Sequence, residues 1–168
     1  MSNYSSKTTG FSLVEVLVSL LILSIGLLGL AGLQGVALKT ADSANLRATA
    51  ALLSHEILEQ MRANRAAAIN GDYTLVLADE DNPAPEKPEP DCNEATCDAT
   101  EIAEHDVYSW RDNIVNGNAT SNKFPSGNAA ISVDSDGIAT ITIQWNDSRA
   151  NVTEADDPTV SFTISAML

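Results

Sequence analysis

Hydrophobic residues run almost unbroken from Phe11 to Leu38, and eighteen uncharged residues separate Glu15 from Gln34. At about 1.5 Å per residue, a helix of that length spans about 27 Å, close to the hydrocarbon core of a thin bilayer. The pattern predicts one transmembrane helix. Beyond Leu38 it turns amphipathic. Leu46, Ala50, Leu53, Ile57 and Met61 recur at steps of three and four, while Arg47, Glu56, Glu59 and Arg62 fill the remaining arc. That is a helix with one apolar stripe, which must bury itself against something downstream. No proline interrupts residues 11–68. The two segments therefore read as one continuous helix of about 58 residues, with Gly71 as its terminator.

The middle of the chain has no such period. Four prolines fall between Pro83 and Pro90, which excludes the interior of a regular element. "ATEIAEHDVYSWRDNIVNG" then reads as a short helix, with Ile102, Val107, Trp110 and Ile114 buried and Asn116-Gly117 as its stop. The last forty or so residues change to a period of two. "NAAISVDSDGIATITIQW" is two strands joined at Asp136-Gly137. Ala139, Ile141, Ile143 and Trp145 share one face, Thr140, Thr142 and Gln144 the other. "PTVSFTISAML" alternates again, with Val160, Phe162 and Ile164 inward. The expected fold class is α+β: a long N-terminal helix, transmembrane in its first half, packed on a small antiparallel β-sheet. The expected segments are a leader at 1–10, a transmembrane helix at 11–38, an amphipathic helix at 39–70, and an acidic domain at 71–168 ending in the sheet.

Composition adds a polarity. The 168 residues suit one domain plus an anchor and carry a formal net charge of −14. Through Ala68 there are five basic and four acidic side chains; from Ile69 onward there are four basic and nineteen acidic. Asp79 to Asp106 alone hold eleven acids against Lys87. A nucleic-acid partner is thereby excluded, and the acidic stretch reads as a self-repelling surface loop. Charge does not orient the membrane segment, because Lys7 before it is balanced by Lys39 and Arg47 after it. A secretory signal peptide is the competing reading, but the apolar run is long and its only exit site, Gly35-Val36-Ala37, is poor.

Candidate chemistry is sparse. Cys92 and Cys97 are the whole thiol inventory. In an exported domain their spacing permits a small disulfide loop; zinc is the weaker alternative, since only His55 and His105 could complete a site. Both histidines read as structural or solvent-facing. Gly26, Gly29, Gly32 and Gly35 recur every third residue. They suit close helix packing in a membrane, or a segment built to loosen when its surroundings change. "DSDG" at Asp134 to Gly137 shares part of a calcium loop but lacks the closing Glu, so it reads as a turn; the acids of "TEADDP" could join a calcium site only in space. Asn-x-Ser/Thr triplets at Asn118, Asn146 and Asn151 are common by chance. No nucleophile–base pair, phosphate loop or metal-ligand spacing appears, so no enzyme activity and no cofactor are expected; a tethered enzyme or ligand-binding module is the remote alternative.

Glu15 is the anomaly. A carboxylate four residues into a membrane-length apolar run is costly and has a task. "G-F-S-L-V-E", Gly10 to Glu15, followed by that run, resembles the class III signal of type IV prepilins. The resemblance implies that a prepilin peptidase cuts between Gly10 and Phe11 and methylates Phe11, and that Glu15 serves assembly. Further stretches resemble the minor pilins of the type IV pilus modification (PilV) family: "EVLVSLLILSIGLLGLAGLQ", "EQMRANRAAA", "CNEATCDA", the Asp106 to Trp110 spacing, "FPSG" and "IQWND". That family implies a non-enzymatic subunit held in the inner membrane with its acidic domain in the periplasm. Such a subunit joins other minor pilins and the major pilin, primes pilus assembly and sits at the tip. A minor pseudopilin of a type II secretion system shares the architecture.

The spacing has a physical rationale. Cleavage converts the Phe11 amide into an amine of pKa about 8, mostly protonated at pH 7. Glu15 then lies in the first helical turn, where the dipole favours a carboxylate. In a bundle of apolar helices it can meet the ammonium of a neighbouring subunit, or, as the bland alternative, that of its own chain.

Overall fold

The computed structural model describes residues 10–117, 124–147 and 159–168. Two compact units are present, one ending at Thr40 and the other covering Ala41–Leu168. The first helix, α1, runs Leu13–Ala63. It starts because Ser12 caps it: the Ser12 hydroxyl accepts the Val14 amide at 3.2 Å, and the Ser12 carbonyl accepts those of Glu15 and Val16. From Phe11 to Leu38 its large apolar side chains are all exposed. A core helix would bury such residues; this segment, apolar all round, is long and apolar enough to cross a membrane.

In the second unit the stripe behaves as its spacing requires. Leu46, Ala50, Leu53, Ile57 and Met61 are buried, with Ser54 and Leu58 beside them. The helix, however, is not continuous to residue 68. It stops at Ala63, and a separate short helix, α2, covers Arg65–Asn70. Asn64, at φ −116° and ψ 50°, is the break. Its side-chain amide donates to the Ala99 carbonyl at 2.6 Å, a tertiary bond that competes with helical geometry at a residue of modest helix propensity. Gly71 ends α2 in the left-handed region, at φ +97°, with its N–H on Ala68 O and that of Asp72 on Ala67 O.

Helix α3 spans Ala99–Val115. Its start is a complete capping box, in which Asp98 accepts the Thr100 and Glu101 amides and Glu101 reaches back to the Asp98 N–H. Its buried face is Ala103, Val107, Trp110 and Ile114. Ile102, expected inside, is exposed instead. The 3.6-residue period running back from Trp110 and Val107 lands on Ala103, and Ile102 sits about 100° away.

Three strands follow: β1 Asn128–Val133, β2 Ile138–Asn146 and β3 Thr159–Met167, antiparallel in the order β1-β2-β3. Ile131, Ile141 and Ile164 form one row across them, and Ala129, Ile143 and Phe162 another. The β1–β2 turn is "DSDG". The Asp134 carboxylate accepts the Asp136 and Ile138 amides, and Gly137 takes φ +76°. Inward residues of β2 are fully buried and share one core with the α1 stripe and the buried face of α3. The opposite face of the sheet carries a hydroxyl ladder, Thr140–Ser165 at 2.9 Å and Thr142–Thr163 at 3.1 Å. Most of the leader, the "TEADDP" acids, Asn118 and Asn151 lie outside the described residues.

Candidate functional site

Gly10 and Phe11 are open. A Cβ at Gly10 would meet nothing within 4 Å, and Phe11 is 83% exposed. Glu15 lies in the first turn of α1 and is exposed. Ser12 and Glu15 spell the S-x-x-E of a capping box. Only half of that box forms: Ser12 holds the Val14 amide, and the Glu15 carboxylate has no hydrogen-bond or ion-pair partner among the described residues. Phe11, Glu15, Val16, Ser19, Leu20 and Leu23 line a shallow hollow on the helix, almost wholly apolar. The Ser19 hydroxyl is turned inward onto the Glu15 carbonyl at 2.7 Å, so the carboxylate is the one charge in that hollow. The Ser12 cap was legible in the sequence through its spacing to Glu15. A Cβ at Gly26, Gly29, Gly32 or Gly35 would meet nothing within 4 Å among the described residues.

Cys92 and Cys97 are bonded to each other, with Cα atoms 5.6 Å apart. No thiolate is left for a metal. The loop is organised by Asp91. Its carboxylate takes the Lys87 ammonium at 2.8 Å, the Asn93 amide and side chain at 3.0 Å, and lies 3.5 Å from His105 Nε2. The Lys87 contact first, and the Asn93 N–H next, hold this carboxyl well below the usual carboxylate range. His55 is exposed on α1.

The remaining distinctive stretches prove to be clamps. In "MRANR", Met61 is fully buried, Arg62 pairs with Glu59 at 2.6 Å and donates to Met167 O, and Arg65 donates to Leu168 O. Asp106 and Trp110, one turn apart on α3, both reach back to the first helix and its exit. Asp106 Oδ2 accepts the Tyr73 hydroxyl at 2.7 Å, and Trp110 Nε1 donates to Leu53 O at 2.8 Å. Burial, and then the Asp106 carboxylate, push the Tyr73 hydroxyl well above its ordinary pKa. In "FPSG", Phe124 packs on Trp145 of "IQWND" with ring centroids 5.4 Å apart. Pro125 O accepts the Asn146 amide at 2.7 Å.

The family model described as Type IV pilin Tt1218 matches residues 32–108. The model of the prokaryotic N-terminal methylation motif matches residues 5–31, which contain Gly10, Phe11 and Glu15. No curated protein and no solved structure gives a significant match. The two family matches adjoin, and the apolar helix leads into a helix packed on a three-stranded sheet, as a pilin requires. The motif implies processing by prepilin peptidase and entry into a pilus, and among the described residues one helix, α1, is long and apolar enough to serve as a membrane anchor. Over residues 5–108 the chain is thus similar to type IV pilins that begin with an N-terminal methylation motif.

Proposed function

We propose that this chain is a minor pilin of the PilV type, a non-enzymatic subunit that primes pilus assembly and stays at the tip. The peptidase cuts between Gly10 and Phe11 and methylates Phe11, and Glu15 then receives the ammonium of a neighbouring subunit. The observation that carries this reading is the Glu15 carboxylate, without a partner among the described residues, in an apolar hollow beside Phe11. Once the hollow packs against another apolar helix, both charges are desolvated, and each compensates the other. Losing one partner strands the other at a cost of about 3–5 kcal/mol. The cut that frees the amine thus supplies the charge that Glu15 needs, so only processed subunits dock in register. The bridged Cys92–Cys97 supports export of the acidic domain, since such bonds persist in oxidising compartments. "MRANR", "FPSG" and "IQWND" support the PilV type through the clamps they build.

Two measurements test this. Mass spectrometry of the mature chain should find Phe11 first and one methyl group on its nitrogen; any other start sinks the reading. Glu15→Val should be processed normally yet enter the minor-pilin complex and the filament poorly. If the variant assembles as well as wild type, the charge pair has no role in assembly.

A further inference from the structure

The two edges of the sheet are treated differently. The β1 edge is closed by the chain itself. Leu75 and Ile131 exchange both backbone bonds, at 3.0 and 2.8 Å, and the Asn128 side chain exchanges two more with Ala78, at 3.0 and 2.9 Å. The β3 edge has no such cover among the described residues. The Leu168 N–H donates to Gly137 O, so in an antiparallel ladder the even-numbered residues of β3 bond to β2. The odd-numbered ones, Ser161, Thr163 and Ser165, turn their N–H and C=O groups outward. Met167 O, on the same side, has already found a donor in Arg62.

Natural sheets blunt an open edge with lysines, prolines, bulges or short strands. Here β3 is nine residues long, with no charge, proline or glycine from Thr159 to Leu168. Its inward side chains are also unfinished. Val160, Phe162 and Ile164 are only half-buried, whereas Trp145, Ile143 and Ile141 opposite them on β2 are fully buried. One more strand beside β3 would satisfy the outward backbone and close the core.

We infer that the β3 edge accepts an extended segment of a different pilin-type subunit, adding a fourth strand to the sheet. The inference rests on the pilus-assembly reading above. A second copy of this chain does not fit. Its β1 edge is occupied by Leu75 and Ala78, so no β3–β1 pair can form. Two domains of a chain with net charge −14 also repel. The eleven acids of residues 79–106 belong to the loop and to α3, which packs beside β1. Among the described residues, Arg62, already paired with Glu59, donates to the last residue of β3, and Arg65 to the residue after it. The occupant is therefore a strand of uncharged composition, hydroxyl-bearing on one face and aliphatic on the other, as β3 itself is.

Photocrosslinking in the piliated host tests this with the full chain. p-Benzoylphenylalanine at Ser161, or separately at Thr163, should give an adduct with a pilin-type subunit carrying its own methylation motif, with the attachment mapped to an extended segment. Two blocking variants accompany it. Thr163→Pro removes an outward N–H that makes no bond within the sheet. Ser161→Lys with Ser165→Lys charges the edge from its solvent face. Each should lower the adduct by about tenfold or more, while an unchanged melting temperature shows that the domain is intact. An adduct with a second copy, with a protein of another class, or none at all overturns the inference, as does a yield untouched by either folded variant. The assembly reading is judged separately: it stands or falls on the Phe11 terminus and the Glu15→Val phenotype in the same cells.

Discussion

Gly127 sits where the end of α3 meets the start of the sheet. A Cβ there would lie 2.8 Å from the Ile114 carbonyl oxygen and 3.0 Å from Phe124 Cβ. The first is backbone at the last turn of a helix, and the second belongs to a fully buried ring, so neither yields cheaply. Gly127→Ala should cost about 1–3 kcal/mol, as overpacking does, and lower the melting temperature by several degrees. Thermal denaturation of the purified protein measures this, and a melt equal to wild type would mean that the α3 terminus shifts freely. Tyr73 gives a pH signature. Its hydroxyl is raised above the ordinary value of about 10 by burial and by Asp106. A group raised on folding contributes its full stability below the unfolded pKa and loses it as pH rises toward the folded one. Unfolding midpoints should therefore fall with pH above about 10. Tyr73→Phe, which cannot ionise, should flatten that limb while losing the Asp106 bond at neutral pH. An alkaline limb unchanged in the variant would place the effect elsewhere.

At the scale of the element, α3 depends on its cap. Asp98 satisfies two first-turn amides and Glu101 returns a bond to the Asp98 N–H. Asp98→Ala should cost about 1 kcal/mol by urea titration, and Glu101→Gln, which keeps an acceptor, distinctly less. Equal losses from both would mean that charge rather than the capping geometry matters. The same helix shows what the sequence could reveal. Val107, Trp110 and Ile114 were legible because a buried stripe needs a regular period, and so were the α1 stripe and the alternation in β2. Ile102 is more hydrophobic than Ala103, but the helical period selects Ala103. The break at Asn64 was not legible, because its cause is a bond to Ala99, thirty-five residues away. The pairing of Leu75 with β1 was hidden for the same reason. At the N-terminus, the methylation motif over residues 5–31 was legible because its glycine, lone acid and apolar run are all local. The clamps at Arg62, Arg65 and Asp106 were visible as distinctive residues, but their partners were not.

For the whole molecule, the core lies in one place. Among the described residues its buried apolar side chains run from Leu46 to Trp145, and none precedes Thr40. Residues 11–38 expose apolar side chains all round, a surface of the kind that marks a membrane or protein contact. A chain beginning at Ala41 keeps every core residue, the disulfide and all three strands. It should fold as a soluble protein and melt within a few degrees of the full chain in detergent, because the core residues all lie in the retained unit. A much lower melting temperature would mean that the membrane segment supports the core through a route other than packing. The same division separates two kinds of failure in assembly. Glu15→Val removes a charge from a segment that carries no core, so the Ala41–Leu168 unit keeps its stability while docking is lost. Gly127→Ala leaves the Phe11–Glu15 hollow untouched and acts through the stability of the acidic unit. Cells making Glu15→Val should therefore hold processed subunit at wild-type levels with few pili. Cells making Gly127→Ala should lose both in proportion, as quality control removes the unfolded fraction. Immunoblots of the membrane and sheared pilus fractions, taken together, distinguish the two patterns. Normal subunit levels with few pili in the glycine variant would extend the docking surface into the acidic unit.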